Sequence, residues 1–409
     1  MQTSNILRLI KPSKQEEIEV KKKINNIISK IKLKDAKVIL GGSGAKGTWL
    51  KSTRDIDIFV KFNYKKYKDK SLKLADILEK ALKKKFPRVK RLHGSRDYFQ
   101  INSEGFTFEI IPVLDIKKAD KAKNITDVSP LHAEWVKKYN LQDGIRLAKA
   151  FTIAADCYGA ESYIRGFSGY VLEVLTIYYK SFSNLIKNIV NIKPKFVIDI
   201  NKYYKNKQEV FSEFNEAKLH SPLIVVDPVQ KDRNAAAALS YETFDKFQNY
   251  CKEYLKNPSE KFFIKQELNL NELKKQGYTI LEIDTLKGKE DVIGAKLLKT
   301  FKFIKSRIVK EGFNLKHSSW LWENKNKAYF YYKLDKKILP KLKIHYGPKL
   351  DNEFHIKKFK EKWRSYKIYK SNKNVYVKIP RKFRTAELYL KNLIKDKEIK
   401  NKVRKINLI

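Results

Sequence analysis

The chain has 409 residues, a formal charge of +44 from 89 Lys and Arg against 45 Asp and Glu, and 42% hydrophobic residues. That length can bury several cores, so two or three domains are expected, and the apolar fraction excludes a basic disordered tail. No apolar signal core opens the sequence and no uninterrupted apolar run reaches membrane-spanning length, so a soluble cytoplasmic protein with no membrane partner is expected. Cys157 and Cys251 lie far apart, fit no metal-ligand spacing and read as reduced thiols. The excess of Lys and Arg implies a polyanionic partner, nucleic acid by default. Compositional drift in a chain crowded with Lys, Asn and Ile competes with that reading, and the alternation of charge with aromatics favours nucleic acid. There is no internal repeat and no low-complexity linker.

Taken in order, Ser13 and Glu16 form a capping box ahead of a helix whose Ile18, Ile24, Ile27, Ile28 and Ile31 face a first sheet. Val38-Ile39-Leu40 suits a short buried strand, which Gly41-Gly42-Ser43-Gly44 breaks. A helical turn over Ala45 to Leu50, with Ser43 near its start, would turn a hydroxyl and free N–H groups toward an anion. The next strand, Asp55-Ile56-Asp57-Ile58-Phe59-Val60, sends Asp55 and Asp57 to one face and its Ile and Val residues to the other. An edge strand with one wet face is the plain reading. Asp is depleted in strands and like charges on one face repel, so a divalent cation between the two is the sharper one. A glycine–serine loop one strand earlier supplies phosphate-binding N–H groups. Together they describe a site for a metal-bound nucleoside triphosphate.

Leu72 to Leu82 predicts an amphipathic helix, and Phe86 to Leu92 and Tyr98 to Ile101 short strands. In Phe106 to Pro112 alternation places Glu109 with Thr107, and Pro112 is expected to end the strand at an edge. If this strand lies beside the Asp55–Asp57 strand, Glu109 completes a three-carboxylate cluster; otherwise it is an exposed edge acid. Asp115, beyond Pro112, is expected to face solvent. His132 follows Pro130, in a loop where a phosphate or sugar contact competes with an ordinary surface role. Asp143 to Ala155 is helical, with Ile145, Leu147, Ala148, Phe151 and Ala154 to bury, and Lys149 among them either snorkels or meets a triphosphate as a point charge. Tyr158, before Gly159, either stacks on a nucleotide or packs in a core. Arg165-Gly-Phe-Ser-Gly places glycines where a backbone presses on another surface, and Tyr170 to Lys180 predicts an apolar helix. Asp227-Pro228 starts a turn, and Arg233 precedes a helix expected over Asn234 to Tyr250, set either for a base edge or for a salt bridge between domains.

The last third changes character. Tyr278 to Ile283, Ala328 to Tyr332 and Val375 to Ile379 alternate as strands, and Ala295 to Val309 is helical. Lys341 to Lys382 interleaves basic residues with Tyr346, Phe354, Phe359, Trp363, Tyr366 and Tyr369, a pattern for an α+β RNA-binding module in which several aromatics are core.

Gly42-Ser43, Thr48-Trp49-Leu50, Asp55-Ile56-Asp57-Ile58-Phe59 and Gly105 to Pro112 together resemble the archaeal (class I) CCA-adding tRNA nucleotidyltransferases, within the polymerase-β-like nucleotidyltransferase superfamily. The resemblance extends through Ser129-Pro-Leu-His132, Arg146-Leu-Ala-Lys149, Cys157-Tyr-Gly-Ala-Glu161, Arg165-Gly-Phe-Ser-Gly-Tyr170, Val225-Val-Asp-Pro-Val229 with Arg233-Asn-Ala-Ala236, and a turn at Tyr346-Gly-Pro348. It covers most of the chain and thins beyond about residue 260. The family commonly has Asp where this chain has Glu109, and Arg where it has Lys46.

The resemblance implies an α+β multidomain fold: a mixed-sheet nucleotidyltransferase palm over 1–140, a helical central domain over 141–258 and an α+β RNA-binding region over 259–409. It implies addition of C, C and A to the tRNA 3′ end from CTP and ATP without a nucleic-acid template. Asp55, Asp57 and Glu109 are then the catalytic carboxylates and hold two Mg2+ ions. Gly42, Ser43, Lys46, His132, Lys149 and Tyr158 position the triphosphate and sugar, and Arg233 meets base or phosphate. The tRNA 3′ end and acceptor stem are the partner, and a homodimer stays open. Poly(A) or terminal uridylyl transfer to other RNAs, and a non-catalytic RNA-binding protein, are the rival functions.

Overall fold

The computed structural model describes residues 3–323, 325–335 and 338–409. The described chain divides into two compact units, the first running to Gln266 and the second from Glu267 to Ile409. No helix among the described residues is long and apolar enough to cross a membrane.

In the first unit, Ala36–Leu40 (β1), Asp55–Asn63 (β2), Lys90–Leu92 (β3), Tyr98–Ser103 (β4) and Phe106–Asp115 (β5) make a five-stranded sheet in the order β1-β2-β5-β4-β3. β2 and β5 run parallel and the other neighbours are antiparallel. The strands carry their apolar residues to one face, where Ile56, Ile58, Val60, Phe62, Phe108 and Ile110 are buried. The helices Lys14–Lys30 and Leu74–Lys83 cover that face with Ile24, Ile27, Leu74, Leu78 and Leu82. The first of these begins with the expected capping box: Ser13 N–H donates to Glu16 at 2.8 Å and Glu16 N–H to the Ser13 hydroxyl at 3.2 Å. Burying one face of β2 leaves Asp55 and Asp57 on the other, which is the site face.

β5 departs from expectation. Pro112 does not close it at an edge: the strand continues to Asp115, between β2 and β4. β4 pairs with β5 only as far as Ile110, so the missing proline N–H falls where that neighbour has ended and no ladder bond is lost. The Pro112 carbonyl accepts from Arg96 Nη1 at 3.0 Å. Asp115, expected to face solvent, pairs with Lys61 at 2.8 Å.

The helical part packs Ser129–Lys137, Gln142–Ala154, Gly169–Tyr178, Phe182–Ile189 and Tyr241–Lys256 around Phe151, Leu172, Leu175, Leu185 and Phe247. Phe151 is ringed by Phe182, Phe247 and Tyr250 at centroid distances of 5.5, 5.9 and 4.9 Å. Phe196–Ile198 (β6) and Leu223–Val225 (β7) add a short parallel pair. The last helix was expected from Asn234 and starts at Tyr241, capped by Ser240. Asn234 spends its amide on the backbone instead, accepting from Val225 N–H at 3.0 Å and Ala236 N–H at 2.9 Å and donating to Lys218 C=O at 2.7 Å.

In the second unit, Leu342–Lys349 (β11), Ile368–Lys370 (β12) and Asn374–Pro380 (β13) form a three-stranded sheet in the order β11-β13-β12, and Thr279–Asp284 (β8), Leu315–Trp322 (β9), Lys327–Leu334 (β10) and Lys405–Leu408 (β14) form a four-stranded one in the order β14-β8-β10-β9. The helix Glu290–Glu311 packs Ile293, Leu297, Phe301 and Ile304 against the four-stranded sheet. Tyr346-Gly347-Pro348, expected as a turn, lies inside β11, where the register shifts between Tyr346 and Lys349. Of the interleaved aromatics, Phe359 is buried under the sheet, while Tyr346 and Phe354 are 62% and 64% exposed.

The turn from β5 into the helix Ser129–Lys137 hangs on Asp127. It is fully buried, pairs with Arg96, and accepts from the N–H groups of Leu114 at 2.8 Å and of Lys123 and Asn124 at 3.0 Å. Asp127→Ala leaves a buried guanidinium without its anion, and urea unfolding should show a loss of about 3–5 kcal/mol. A loss no larger than that of a surface substitution would contradict this account of the turn.

Candidate active site

The site begins where β1 turns into β2. Gly41 N–H donates to the Asp57 carbonyl at 2.8 Å, one rung beyond the β1–β2 pairing, so the loop leaves the sheet directly beside Asp57. Gly42 has φ +51°, and a Cβ there would sit 1.7 Å from Asp57 Oδ2, so only glycine fits. The short helix Gly42–Lys46 therefore lies directly over the Asp57 carboxylate and carries Ser43 and Lys46. Asp55 is exposed and Asp57 half-buried. Burial raises the Asp57 pKa and the charge of Asp55 adds to it, against the pull of Lys46 and Lys149. Among the described residues neither carboxylate belongs to an ion pair.

β5 lies beside β2 in parallel register, with Glu109 directly opposite Asp57 and Thr107 opposite Asp55. The neighbour relation that Glu109 needed is present. Its carboxylate, however, accepts from Gln100 Nε2 at 2.9 Å, and among the described residues no group of three or more His, Cys, Asp or Glu side chains is gathered closely enough to hold a metal ion. The three acids share a face and are not drawn together.

Lys46 and Lys149 meet on one acid. Glu173, 1% exposed in the otherwise apolar helix Gly169–Tyr178, binds Lys46 Nζ through Oε2 at 2.7 Å and Lys149 Nζ through Oε1 at 2.8 Å. The Thr48 hydroxyl donates to Oε1 at 3.0 Å and accepts from Lys149 Nζ at 2.9 Å. Burial pushes the Glu173 carboxyl up, but the two lysines outweigh it and hold it at about 2. Burial also drives Lys149 down, with Glu173 opposing. Lys149 thus neither snorkels nor stands free. Removing one partner from such a buried set typically costs about 3–5 kcal/mol, because the remaining charge has no water to turn to. Gly169 opens the way for Tyr158: a Cβ on it would lie 2.9 Å from the Tyr158 hydroxyl, whose pKa burial pushes up to about 12.

His132 and Arg233 meet on a second acid. Buried Asp227 bonds His132 Nε2 at 2.9 Å and Arg233 Nη1 at 2.6 Å through Oδ2, and accepts from the Tyr170 hydroxyl at 3.0 Å through Oδ1. His132 stacks on Tyr170 with centroids 4.0 Å apart. Burial opposes ionisation of Asp227, yet His132 and Arg233 hold it at about 2. Burial lowers the His132 pKa in turn, so at neutral pH the ring is uncharged and its Nε2–H donates to the carboxylate. Arg233, whose salt bridge stays within the first unit, keeps its side chain 32% exposed and has donors to spare. Lys46 Nζ sits 5.4 Å from the Tyr170 ring centroid, joining the two acid centres into one network. A groove of about 1280 Å3, walled by Lys117, Lys123, Trp135 and Lys231, also takes in Leu131, Val229 and Asp232, the chain neighbours of His132 and Arg233, though no candidate residue itself lines it.

Glu173, Thr48, Tyr170 and Asp227 had no assigned role in the sequence. A signal existed for Glu173. One acid in Tyr-Val-Leu-Glu-Val-Leu-Thr-Ile is as anomalous as Lys149 among the apolar positions of its own helix, and two such anomalies invite pairing.

A half-covered carboxylate strand, a glycine loop upon it and two lysines on a shared acid define a nucleotidyltransferase, and residues 21–126 match the nucleotidyltransferase domain family. Residues 143–264 match the tRNA nucleotidyltransferase second domain and 278–406 the CCA-adding enzyme C-terminal domain. A CCA-adding enzyme of Nanoarchaeum equitans is 40% identical over 83% of this chain and 85% of its own length. One of Methanocaldococcus jannaschii is 34% identical over 88% and 83%. The chain belongs to the archaeal CCA-adding nucleotidyltransferases. A solved structure of a cytoplasmic RNA terminal U-transferase aligns with a TM-score of 0.50 at 15% identity, over 65% of this chain and 97% of that one, a likeness of fold.

The network makes a signed prediction for pH. Asp227 is the group that raises the His132 pKa against burial, so Asp227→Asn should move it further down. An NMR titration of the six histidines would read this, and an upward shift would contradict the assignment.

Proposed function

We propose that this enzyme adds C, C and A to the 3′ end of tRNA from CTP and ATP, with base choice made by the protein and the RNA rather than by a template strand. The observation that carries the reading is the Asp55–Asp57 face lying under the Gly42 loop in a chain whose successive stretches match a nucleotidyltransferase domain, a tRNA nucleotidyltransferase second domain and a CCA-adding enzyme C-terminal domain. In this reading residues 1–140 form the palm, 141–258 complete the nucleotide pocket, and 259–409 form the tRNA-binding body and tail region.

The residues fit a divalent metal: burial and Asp55 raise the Asp57 pKa, and neither acid has a cation of its own among the described residues. Asp55 and Asp57, with Glu109 released from Gln100, would hold Mg2+, two ions in our reading. Bound there, magnesium supplies a lowered pKa for the primer hydroxyl and neutralisation of the departing pyrophosphate. The chain's own groups do the rest. Lys46 and Lys149 take the triphosphate as point charges, and the backbone of Gly42 and Ser43 donates to it. Tyr158 bounds the sugar, the neutral His132 leaves Nδ1 to accept from a sugar hydroxyl, and Arg233 turns its free donors to the base. The 3′ oxygen then forms its bond to the α-phosphorus as the bond to the β-phosphate oxygen breaks and pyrophosphate leaves in line.

The fold it shares with a terminal U-transferase makes uridylyl transfer the reading to test against. With tRNA lacking its CCA end and each labelled nucleotide separately and together, incorporation of C followed by a single A, with UTP inert, is expected. Runs of U or A would contradict the proposal.

Asp55→Ala and Asp57→Ala should each lower both CMP and AMP incorporation by on the order of 1000-fold, the scale of several kcal/mol of charge stabilisation. Binding of tRNA in a filter assay should persist, since phosphate contacts elsewhere dominate affinity. Turnover near wild type in either variant would remove the metal role from that residue.

Glu109→Ala should be as inactive as those variants, and Glu109→Asp should keep activity. Asp115 lies further along the same strand face and is already spent on Lys61, so Asp115→Ala should add C normally. An inactive Asp115→Ala beside an active Glu109→Ala would move the third ligand to Asp115.

A further inference from the structure

We propose that Glu173 is the positioning residue of the triphosphate site: its carboxylate holds the ammonium groups of Lys46 and Lys149 side by side, directed at one polyphosphate. The proposal rests on the nucleotide-site reading above and adds a residue whose carboxylate does not itself face the nucleotide.

The geometry separates this role from ordinary core filling. Each carboxylate oxygen takes one lysine, Oε2 with Lys46 and Oε1 with Lys149, so the two cations are kept at a fixed spacing. Thr48 closes the arrangement by bonding both Oε1 and Lys149 Nζ. The pieces come from distant stretches: Lys46 from the helix over Asp57, Thr48 from the segment after it, Lys149 from Gln142–Ala154 and Glu173 from Gly169–Tyr178. Holding them together sets the helical part of the pocket against the palm carboxylates. A lysine stem has four rotatable carbons and a single point of charge, so it aims well only when something fixes its end. Without Glu173 two ammonium groups would share a nearly dry space, repel each other and spread. The helix that carries Glu173 buries Val171, Leu172, Val174, Leu175 and Ile177 around it, so an apolar residue would serve packing there as well. A charge at that position needs a reason beyond the core. The lysines supply it. Side-chain exposure falls from 11% at Lys46 to 5% at Lys149 and 1% at Glu173, so the acid stands behind its cations and Lys46 at the rim.

The test uses the full chain with tRNA lacking its CCA end, varying CTP, ATP and tRNA in turn, with inorganic tripolyphosphate as competing probe. Glu173→Gln should raise KM for CTP and ATP, and Ki for tripolyphosphate, by about 100-fold, the usual effect of displacing a positioned group by an ångström. KM for tRNA should stay as it is. Glu173→Asp, which keeps the charge and shortens the reach, should fall between the two and melt close to wild type. If Glu173→Gln or Glu173→Asp only lowers the melting temperature and leaves nucleotide KM and tripolyphosphate Ki unchanged, Glu173 is a packing residue and the proposal is overturned. Should Glu173→Gln not fold, the same criterion applied to Glu173→Asp decides. Lys149→Met separates the two levels of the argument. If it too leaves Ki for tripolyphosphate unchanged, the nucleotide site itself has been misplaced; if it raises Ki while the Glu173 variants do not, only the positioning role fails.

Discussion

A carboxylate as deeply buried as Glu173 persists only with cations pressed against it, and that requirement organises the first unit. Its two oxygens draw Lys46 from the palm and Lys149 from the helical part to one point. Lys46 then lies over Tyr170, Tyr170 donates to Asp227, and Asp227 holds His132 and Arg233. Every cation assigned to the nucleotide is tied into this single run of ion pairs and hydrogen bonds, bridged at Tyr170 by a cation–π contact. Networks of this kind are rigid when every member is satisfied and costly when one is lost, which suits a pocket that must present the same face to two different nucleotides. The network also explains how a strongly basic chain can concentrate positive charge at a site without the site flying apart.

The sheet provides the opposing half. Ile56, Ile58 and Val60 lock β2 to the core, and that locking is what commits Asp55 and Asp57 to the other face. The loop above them depends on Gly42, whose positive φ and missing side chain let the backbone touch the Asp57 carboxylate. In the proposed site the acids would form one wall and the paired lysines the other, so that an anion would enter in company with a cation.

Much of this was legible in the sequence, for physical reasons that differ by residue. The period-two alternation of Asp55 to Val60 and the Ser13–Glu16 capping box are local patterns, and local geometry realises them directly. Glu109 was legible conditionally: alternation gave its face, and only the parallel pairing of β5 with β2 supplied its neighbour. Pro112 misled because its usual confinement to strand edges is a rule about lost ladder bonds, and here β4 ends at Ile110, before any bond is lost. Asn234 misled because its amide found backbone partners better than a helix offered. Glu173 and Asp227 went unassigned because each is bound into its network by at least one partner far away along the chain, even though Lys149 and Arg233 lie nearer. Lys46 lies 127 positions from Glu173 and His132 lies 95 from Asp227, distances over which no periodicity speaks.

The account's central claim is that the Asp55–Asp57 face and the Lys46–Lys149 pair are two walls of one nucleotide site. A crystal structure of the full chain with magnesium and a non-hydrolysable CTP analogue measures this most directly. The account predicts the triphosphate against Lys46 and Lys149, with the α-phosphate turned to Asp55 and Asp57. A triphosphate lodged elsewhere, for instance in the groove of Lys117, Lys123 and Lys231, with Lys46, Glu173 and Lys149 undisturbed, would contradict it.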